Sequence, residues 1–583
     1  MWRSICNCPG AMKLRFSYRD TECLVARRRL IRSLILSVLC ASAPTLVGAE
    51  THKHSPELEG LNPQSTVDVI IQFNEKPRPS HHQKVRNHGG SLRSELPLVG
   101  GSAYSIPASS IEALSNDPDV VYVSLDRQVK GTLDLTTQAV NANQVWQQFG
   151  IDGSGIGVAV IDSGIGWHDD LGGRVVYSQS FLNDNNTDDG YGHGTHVAGI
   201  VGGSGKESTG LGMKRTFRGM ASNANLVNLK VLDSTGAGQD SSVIAAINTA
   251  IQLKSKYNIR VINLSLGRPV FESYKIDPLC QAVEAAWKAG IVVVAAAGNN
   301  GRDNSFSNFG YGTIAAPGND PYIITVGAMK TMNTPGRSDD LVASYSSKGP
   351  TSIDHVIKPD LVAPGNRVIS LLADNASLAT NYPQNAVANK VYESTNWGTS
   401  SDYFMLSGTS MATPVVSGAV ALLLQKNQNL TPDQVKARLM KTAYKTFPAS
   451  STVVDPTTNQ SYTSYYDMFT IGAGYLDIQA ALASSDSATG AATSPTAVFN
   501  KATNTVTVVT GSNVIWGSNL VWGVNIVWGS NVIWGSNVIW GSNIVWGVSG
   551  TQAFNLLWGT NVIWGSTTQT NADDVKVAIN GEN

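Results

Sequence analysis

Three stretches of this sequence carry side chains that could act together in nucleophilic catalysis. Ser410 follows the small-residue turn Gly408-Thr409 and precedes an apolar run typical of a buried helix, so we expect it near a helix N-terminus. Unpaired N–H groups and the helix dipole favour negative charge there, as in the oxyanion formed when a serine attacks a carbonyl. A lone serine in this position is more often only a helix cap, so the prediction depends on partners elsewhere.

Asp162 and His193 are the candidate partners. Asp162 ends the buried apolar strand 158–161, and the carboxyl ends of strands are where α/β folds place their sites. His193 lies in the stretch 192–199, whose glycines allow close backbone approach. A histidine can take the proton of a serine hydroxyl, while a carboxylate fixes the histidine tautomer and stabilises the imidazolium. Asp162, His193 and Ser410 are therefore the predicted catalytic set.

In the type and order of its motifs the chain resembles the subtilases, the subtilisin-like serine peptidases. The segments are VIDSGI at Asp162, GHGTHVAG at His193 and GTSMATP at Ser410. Their order along the chain, Asp, His, Ser, is that of the subtilisin template. The resemblance implies a serine endopeptidase and makes His196 a structural neighbour of the base.

A fourth motif of the resemblance ends the apolar strand 291–297. In subtilases the matching asparagine donates its side-chain amide to the oxyanion, beside the backbone N–H of the nucleophile, and Asn299 takes that role by resemblance. On its own, Asn299 would be read as a turn residue before a glycine. Asn300 is the neighbour with which it could be confused.

The region from about 135 to 485 alternates strand-like and helical patterns, which is typical of a mostly parallel sheet. The predicted strands are 158–161, 226–231, 261–266, 291–297 and 323–326, and the predicted helices are 243–256 and 278–289. The predicted fold class is α/β, and the resemblance implies the three-layer subtilisin-like fold for a catalytic domain at 136–484.

The resemblance also implies a primary specificity pocket between two backbone segments. These segments are Ser265-Leu266-Gly267 and Ala296-Ala297-Gly298. A backbone edge there would pair with an extended substrate, so unfolded or loop segments of polypeptides are the expected substrates.

Metal binding is not expected from the loops near the histidine motif. Subtilases often carry a calcium loop soon after the histidine helix, but residues 202–208 and 214–218 are basic here and lack clustered oxygen ligands. Asp170, Asp188 and Asp189 remain as isolated carboxylates, which we expect to be solvated. We therefore predict no metal and no cofactor, with calcium left open.

The beginning of the chain has the pattern of a secretory signal peptide. Arginines at 27–29 and 32 precede the apolar run 34–41, which is too short for a membrane span, and small residues precede Glu50. We predict a signal peptide at 1–49, a secreted or envelope-associated protein, and no transmembrane anchor. The mature chain would keep only Cys280, buried and without a disulfide. A formal net charge of −1 gives no reason to expect nucleic acid as a partner, and we expect a monomer.

Residues 66–130 form a separate predicted unit. Strands at 66–73, 103–106 and 120–125, with a polar segment after Pro79 and a short helix at 109–114, suit a ferredoxin-like α+β domain. Its position resembles the inhibitory propeptide of subtilases, of the inhibitor I9 type. This resemblance implies that it inhibits the enzyme intramolecularly and is cut off. The alternative is an accessory domain that stays attached.

The last part of the chain is a repeat after a Ser/Ala/Thr-rich linker predicted at 485–510. Between residues 511 and 566, tryptophans recur every six residues, with a break before the last two: Trp516, Trp522, Trp528, Trp534, Trp540, Trp546, Trp558 and Trp564. Alternating apolar residues and Gly-Ser-Asn turns predict an all-β repeat, either a β-solenoid or a stack of hairpins. It could bind the cell envelope or a polymeric ligand, or serve as a spacer.

Two classes of function follow from these features. The first is a secreted serine endopeptidase made as a self-processing zymogen. The second is a catalytically silent subtilase scaffold that displays the tryptophan repeat for binding or adhesion. Retention of Asp162, His193, Asn299 and Ser410 favours the enzyme, and the histidine motif argues against the related Ser-Glu-Asp carboxyl peptidases.

Overall fold

The computed structural model describes residues 53–55, 58–96, 100–125, 135–304, 308–394, 398–455, 459–486, 488–500, 505–509, 515–516, 525–526, 540–541 and 571–582. The signal peptide predicted at 1–49 and most of the tryptophan repeat lie outside these residues. The chain divides into two compact units, Met1–Val129 and Lys130–Asn583.

The first unit is a four-stranded sheet with two helices. Its elements are β1 Thr66–Phe73, α1 Pro79–Asn87, β2 Ser91–Leu96, β3 Gly101–Pro107, α2 Ile111–Ser115 and β4 Val120–Leu125. The strands pair antiparallel in the order β2-β3-β1-β4, which is the ferredoxin-like topology. The predicted α+β fold is confirmed, whereas the role of this unit as a propeptide stays a prediction. Strand β2 has no counterpart among the predicted strands because this edge strand is almost wholly exposed and so lacks a hydrophobic alternation.

The second unit is built on a mixed sheet of eight strands. These are β5 Gly157–Asp162, β6 Val175–Ser180, β7 Asn225–Lys230, β8 Ile259–Leu264, β9 Val292–Ala296, β10 Ile324–Lys330, β11 Leu341–Val342 and β12 Leu361–Pro364. The order is β11-β10-β9-β8-β5-β7-β6, with β12 on β10, and every pair except β10–β11 is parallel. The mostly parallel sheet and its five predicted strands are confirmed, each within three residues at its ends except that the last one extends to Lys330.

Helices cover this sheet. Among the described residues, the α-helices of the second unit are α3 Leu135–Ala139, α4 Ala142–Phe149, α5 His193–Gly202, α6 Asp240–Tyr257, α7 Pro278–Lys288, α8 Ser377–Asn381, α9 Thr409–Lys426, α10 Pro432–Thr442, α11 Ile478–Ala483 and α12 Asn571–Asn580. Every residue of β5, β9 and β10 is buried, so both faces of the sheet are covered. Helix α5 packs on α9 and α6 packs on α7, which fits the predicted three-layer fold.

Two smaller sheets lie beside the central sheet in the sequence range 368–465. Strands β13 Val368–Leu371, β14 Ala386–Ala388 and β15 Thr399–Leu406 form an antiparallel sheet in the order β13-β15-β14. Strands β16 Ser450–Val454 and β17 Ser461–Tyr465 pair antiparallel. Strand β15 leads directly to α9, so it fixes the approach of the chain to Ser410.

The prediction of a linker at 485–510 is wrong for most of that segment. Strands β18 Ala488–Thr489, β19 Thr496–Asn500 and β20 Thr505–Val509 lie in it, and β19 pairs with β20. Ser494 Oγ donates to Asp360 Oδ1 at 2.5 Å and accepts from Lys436 Nζ at 2.8 Å. Burial lowers the pKa of Lys436 to about 7, although Asp360 favours its charge. The small residues of this segment therefore pack on the catalytic domain and complete a buried charge network.

Little of the tryptophan repeat is described. Three two-residue strands lie in it, β21 Ile515–Trp516, β22 Asn525–Ile526 and β23 Trp540–Gly541. Strand β21 pairs with β18, and β22 pairs with β23. The choice between a solenoid and hairpins stays open. No helix in the described part of the chain is long and apolar enough to cross a bilayer. Cys280 is fully buried, as predicted.

Candidate active site

Asp162 is the last residue of β5, at the carboxyl edge of the central sheet. Its side chain is 1 % exposed, and its Oδ1 accepts from the Ser163 N–H at 2.8 Å and from His193 Nδ1 at 2.7 Å. Because a carboxylate can only accept, Nδ1 carries a proton, and Nε2 of the neutral ring is left as a base. This is the tautomer that a serine-activating histidine needs.

His193 begins α5. The helix approaches β5 so closely that a Cβ on Gly194 would collide with the carbonyl oxygen of Gly164, which explains the glycine after the histidine. Burial disfavours the imidazolium, but the carboxylates of Asp162 and Asp189 favour it more strongly, so the pKa of His193 lies above its usual value. The ring is therefore placed to accept and hold a proton.

Ser410 lies in the first turn of α9. The preceding Gly408 has φ 142°, a conformation that favours glycine. In the described part of the chain, Ser410 Oγ donates to the carbonyl of Ser265 at 3.1 Å, and Ser265 Oγ donates to the carbonyl of Ser410 at 2.8 Å. His193 and Ser410 line the same cleft.

Asn299 follows β9 and faces the start of α9. Its Oδ1 accepts from the Thr409 N–H at 2.9 Å and from Thr409 Oγ1 at 3.2 Å. Thr409 Oγ1 also accepts from the Gly298 N–H at 3.1 Å. Since the oxygen end of the amide is held by Thr409, its NH₂ end is left to donate into the cleft beside Ser410. Thr409 is a positioning residue that the sequence did not reveal.

The expectation that Asp170 and Asp189 are solvated is wrong, whereas Asp188 is exposed. Asp189 accepts from the N–H groups of Gly192 and Thr195 at 2.7 Å each and from Ser163 Oγ at 2.8 Å. It thus accepts hydrogen bonds from N–H groups at the beginning of α5 that have no partner within the helix. Burial raises the pKa of Asp189, although these hydrogen bonds act to lower it. Its place shortly before the histidine motif was the only signal in the sequence.

Asp170 contacts the loop 202–208, where a calcium site was considered. It is fully buried and accepts from the Glu207 N–H at 2.9 Å and from the Tyr403 hydroxyl at 2.8 Å. Across the residues whose placement is described, no three side chains of the types His, Cys, Asp and Glu group so as to hold a metal ion. The metal and cofactor requirements stay predictions.

His196 is buried on the inner side of α5. Its Nε2 lies 3.1 Å from the carbonyl oxygens of both Val368 and Phe404, so this nitrogen carries the proton. Burial, reinforced by the nearby His193, lowers the pKa of His196 to about 3. A neutral ring that is bonded into the core has no access to the cleft.

The cleft around Ser410 has a volume of about 460 Å³. Of the six predicted pocket residues, five line it: Ser265, Leu266, Gly267, Ala296 and Gly298. Ala297 is the exception, because its side chain is fully buried and its N–H donates to the carbonyl of Val326 at 3.0 Å. The cleft thus opens between the ends of β8 and β9, and the role of these residues as a specificity pocket stays a prediction.

Known proteins resemble this chain over the region that forms the site. A family model described as the subtilase family matches residues 153–472. Serine protease AprX of Bacillus subtilis (strain 168) is 37% identical over 392 residues, which are 65% of this chain and 83% of that protein. Subtilisin E of the same strain is 34% identical over 363 residues, 62% of this chain and 79% of that protein.

A solved structure of a cold adapted subtilisin-like serine proteinase also matches. It is 31% identical and covers 50% of this chain and 84% of its own, with a TM-score of 0.36. The assignment of this chain to a family depends on the family model and on the two relatives, AprX and subtilisin E.

Proposed function

Because the chain belongs to the subtilase family and is a subtilisin-like serine endopeptidase, we propose that Asp162, His193 and Ser410 are its catalytic triad. The observation that carries the proposal is the 2.7 Å hydrogen bond from His193 Nδ1 to Asp162 Oδ1, with His193 and Ser410 lining one cleft. The bond leaves Nε2 free to take a proton, and the cleft gives a peptide access to both side chains.

The proposed reaction begins with attack by Ser410 Oγ on a peptide carbonyl carbon while His193 Nε2 takes the hydroxyl proton. The negative charge moves to the carbonyl oxygen, where the Asn299 amide and the Ser410 N–H donate to it. Collapse of this intermediate breaks the peptide C–N bond, and His193 gives the proton to the leaving amine. Water then hydrolyses the acyl-enzyme in the same two steps and restores Ser410.

We propose that substrates are extended segments of polypeptide. Ser265–Gly267, Ala296 and Gly298 line the cleft at the ends of two strands, so we expect the main chain of a substrate strand to lie between them. Such pairing involves the main chain of the substrate and needs a segment that is unfolded or in a loop.

Three further parts of the proposal rest on the sequence. Residues 66–130 serve as an inhibitory propeptide that the enzyme removes itself. The signal-like segment 1–49 directs the protein out of the cytoplasm. The tryptophan repeat at 511–566 binds the envelope or a polymer, and it has no titratable side chain with which to take part in acid–base chemistry.

We expect a serine-directed phosphonyl fluoride to inactivate the enzyme with one label per chain, on Ser410. The nucleophile is activated only where a base can accept its proton. Peptide mapping by mass spectrometry identifies the labelled residue, and prior unfolding in urea is the control, because an unfolded chain should take no label. A label on another serine, with Ser410 unmodified, would refute the assignment.

We expect Asn299→Ala to lower kcat by about 10²–10³-fold with little change in KM, the magnitude measured in subtilisin for loss of one oxyanion donor. The amide should interact with the oxyanion more strongly than with the substrate, so its loss affects the chemical step. Steady-state kinetics on a short chromogenic peptide measure this, with melting temperature as a check on the Thr409 contact. Asn300→Ala is the matched control and should keep kcat within about threefold; equal losses in both variants would contradict a specific role for Asn299.

A further inference from the structure

The last described helix, α12, returns to the catalytic domain outside the region 153–472 that the family model matches. The carbonyl of Ala578 accepts from the Ser407 N–H at 2.8 Å, and the carbonyl of Ile579 accepts from Asn385 Nδ2 at 2.7 Å. Carbonyls in the last turn of a helix lack partners within the helix, so the catalytic domain supplies them here. The side chain of Ile579 is buried against the domain.

Gly581 ends the helix and turns the chain. Its φ of 57° is the left-handed conformation that glycine adopts after a helix C-terminus, and its N–H donates to the carbonyl of Val577 at 3.0 Å. A Cβ at this position would collide with Ser407 Oγ and lie 2.9 Å from Asn366 Oδ1. The backbone of the tail therefore fits the catalytic domain closely at this point.

Glu582 lies in a polar socket, which we define as Arg302, Lys330, Ser344 and Asn366. Its Oε1 lies 2.8 Å from Arg302 Nη2 and accepts from the Ser344 N–H at 2.9 Å and from the Ser344 hydroxyl. Its Oε2 lies 3.4 Å from Lys330 Nζ.

The main chain of Glu582 is held as well. Its carbonyl and its N–H each bond the side-chain amide of Asn366 at 2.8 Å. The side chain of Glu582 is 1 % exposed and that of Lys330 is 4 % exposed. Two cations and two donors of Ser344 surround this buried carboxylate, so both charge and hydrogen bonds hold it in place.

The tail also lines the catalytic cleft. Val575 and Ala578 form part of its wall, together with His193 and Ser410. The Ser407 N–H that bonds to Ala578 belongs to the third residue before Ser410, so a backbone donor at the edge of the cleft is occupied by the tail. An extended substrate that needs this wall and this donor must displace α12.

We propose that residues 575–582 are an intramolecular ligand that competes with substrate for the catalytic cleft and is held there by Glu582 in the socket. When the tail leaves, Arg302 keeps its partner Asp455 at 2.9 Å, and water can reach the remaining socket groups. Release is therefore compatible with a folded catalytic domain. The effect of this competition on turnover depends on the proposed function. The contact of the tail with the domain and its competition for the cleft do not depend on it.

Hydrogen–deuterium exchange on the full chain tests the contact, in a Ser410→Ala background that prevents self-digestion. We expect Glu582→Gln to speed exchange at Ser407, Gly581 and Glu582 by at least tenfold, as loss of a charge-assisted bond would. Gly581→Ala should also speed exchange at these positions, because it changes the backbone of the tail. This variant keeps the Glu582 carboxylate as a partner for the socket cations. Asn580→Ala, on the exposed side of the same turn, is the control and should leave exchange unchanged.

Fluorescence anisotropy with labelled oxidised insulin B chain tests the competition in the same variants after active enzyme has cut off residues 66–130 in trans and both have been removed, because an attached propeptide would itself occupy the cleft. Freeing the cleft should lower the apparent Kd of the peptide about tenfold in Glu582→Gln and Gly581→Ala, and Asn580→Ala should not change it. Unchanged exchange in both tail variants would overturn the socket, and faster exchange with an unchanged Kd would overturn the competition. Failure of the proposed function would appear separately, as an absence of phosphonyl fluoride labelling in the Ser410 enzyme.

Discussion

Ser410→Ala is expected to lower peptide hydrolysis by about 10⁶-fold, the magnitude measured for loss of the nucleophile in subtilisin. The hydroxyl oxygen forms the covalent bond to the substrate, and no neighbouring group can replace it. The variant should also remain a precursor in which residues 66–130 stay joined to the catalytic domain, because self-processing needs the same nucleophile. Digestion of a chromogenic peptide and the intact mass of the purified protein measure the two effects.

Ser417→Ala is the matched control for this substitution. It lies on the same helix, α9, and its buried hydroxyl donates to Asn263 Oδ1 at 2.8 Å, so that its loss affects stability rather than chemistry. Loss of such a hydrogen bond costs about 1 kcal/mol of unfolding free energy. We expect this variant to mature and to keep wild-type kcat. A Ser410→Ala protein that matures by itself and digests casein would remove Ser410 from the mechanism.

The positions of the candidate catalytic side chains could be predicted because each of them lies in a local motif. Asp162 ends an apolar strand, and His193 and Ser410 lie in the first turns of helices whose sequences are rich in small residues. Parallel strands bring their carboxyl ends to one edge of the sheet, so the motifs converge once the alternation of strands and helices is recognised. This is why the strands, the helices and the region of the candidate site could be predicted, whereas the roles of the side chains came from the family resemblance.

The residues that hold the site in place could not be derived in this way. Asp189 has the sequence context of a loop carboxylate, and only the approach of α5 buries it under the N–H groups of Gly192 and Thr195. Thr409 stands beside the nucleophile, but its three hydrogen bonds to Gly298 and Asn299 span more than a hundred positions. Composition and periodicity carry no information about such pairs.

The segments after the catalytic motifs were the least predictable. A Ser/Ala/Thr-rich composition is typical of linkers, yet Ser494 completes the buried network of Asp360 and Lys436. Glu582 likewise meets Arg302 and Ser344 from more than two hundred positions away. Small polar residues can be solvated or buried with equal ease, so their fate depends on partners that only the fold brings near.

Asp162→Asn is expected to lower kcat by about 10⁴-fold while the fold is kept. An asparagine can present its NH₂ group to Nδ1, which places the ring proton on Nε2 and leaves no base toward Ser410. Steady-state kinetics across pH measure the effect. Asp188→Asn is the matched control, because this neighbouring carboxylate is exposed, and we expect its kcat to stay within about twofold of wild type.

The pH profile separates a catalytic role for Asp162 from a purely structural one. His193 works as a base only when neutral, so activity rises with pH through its pKa. Burial lowers that pKa, and the charge and hydrogen bond of Asp162 raise it more, so the rising limb of wild-type kcat should lie above the usual histidine range. Asp162→Asn removes both favourable effects and should move the limb to lower pH. A limb that stays in place, with kcat lowered, would mean that Asp162 does not act on the imidazole.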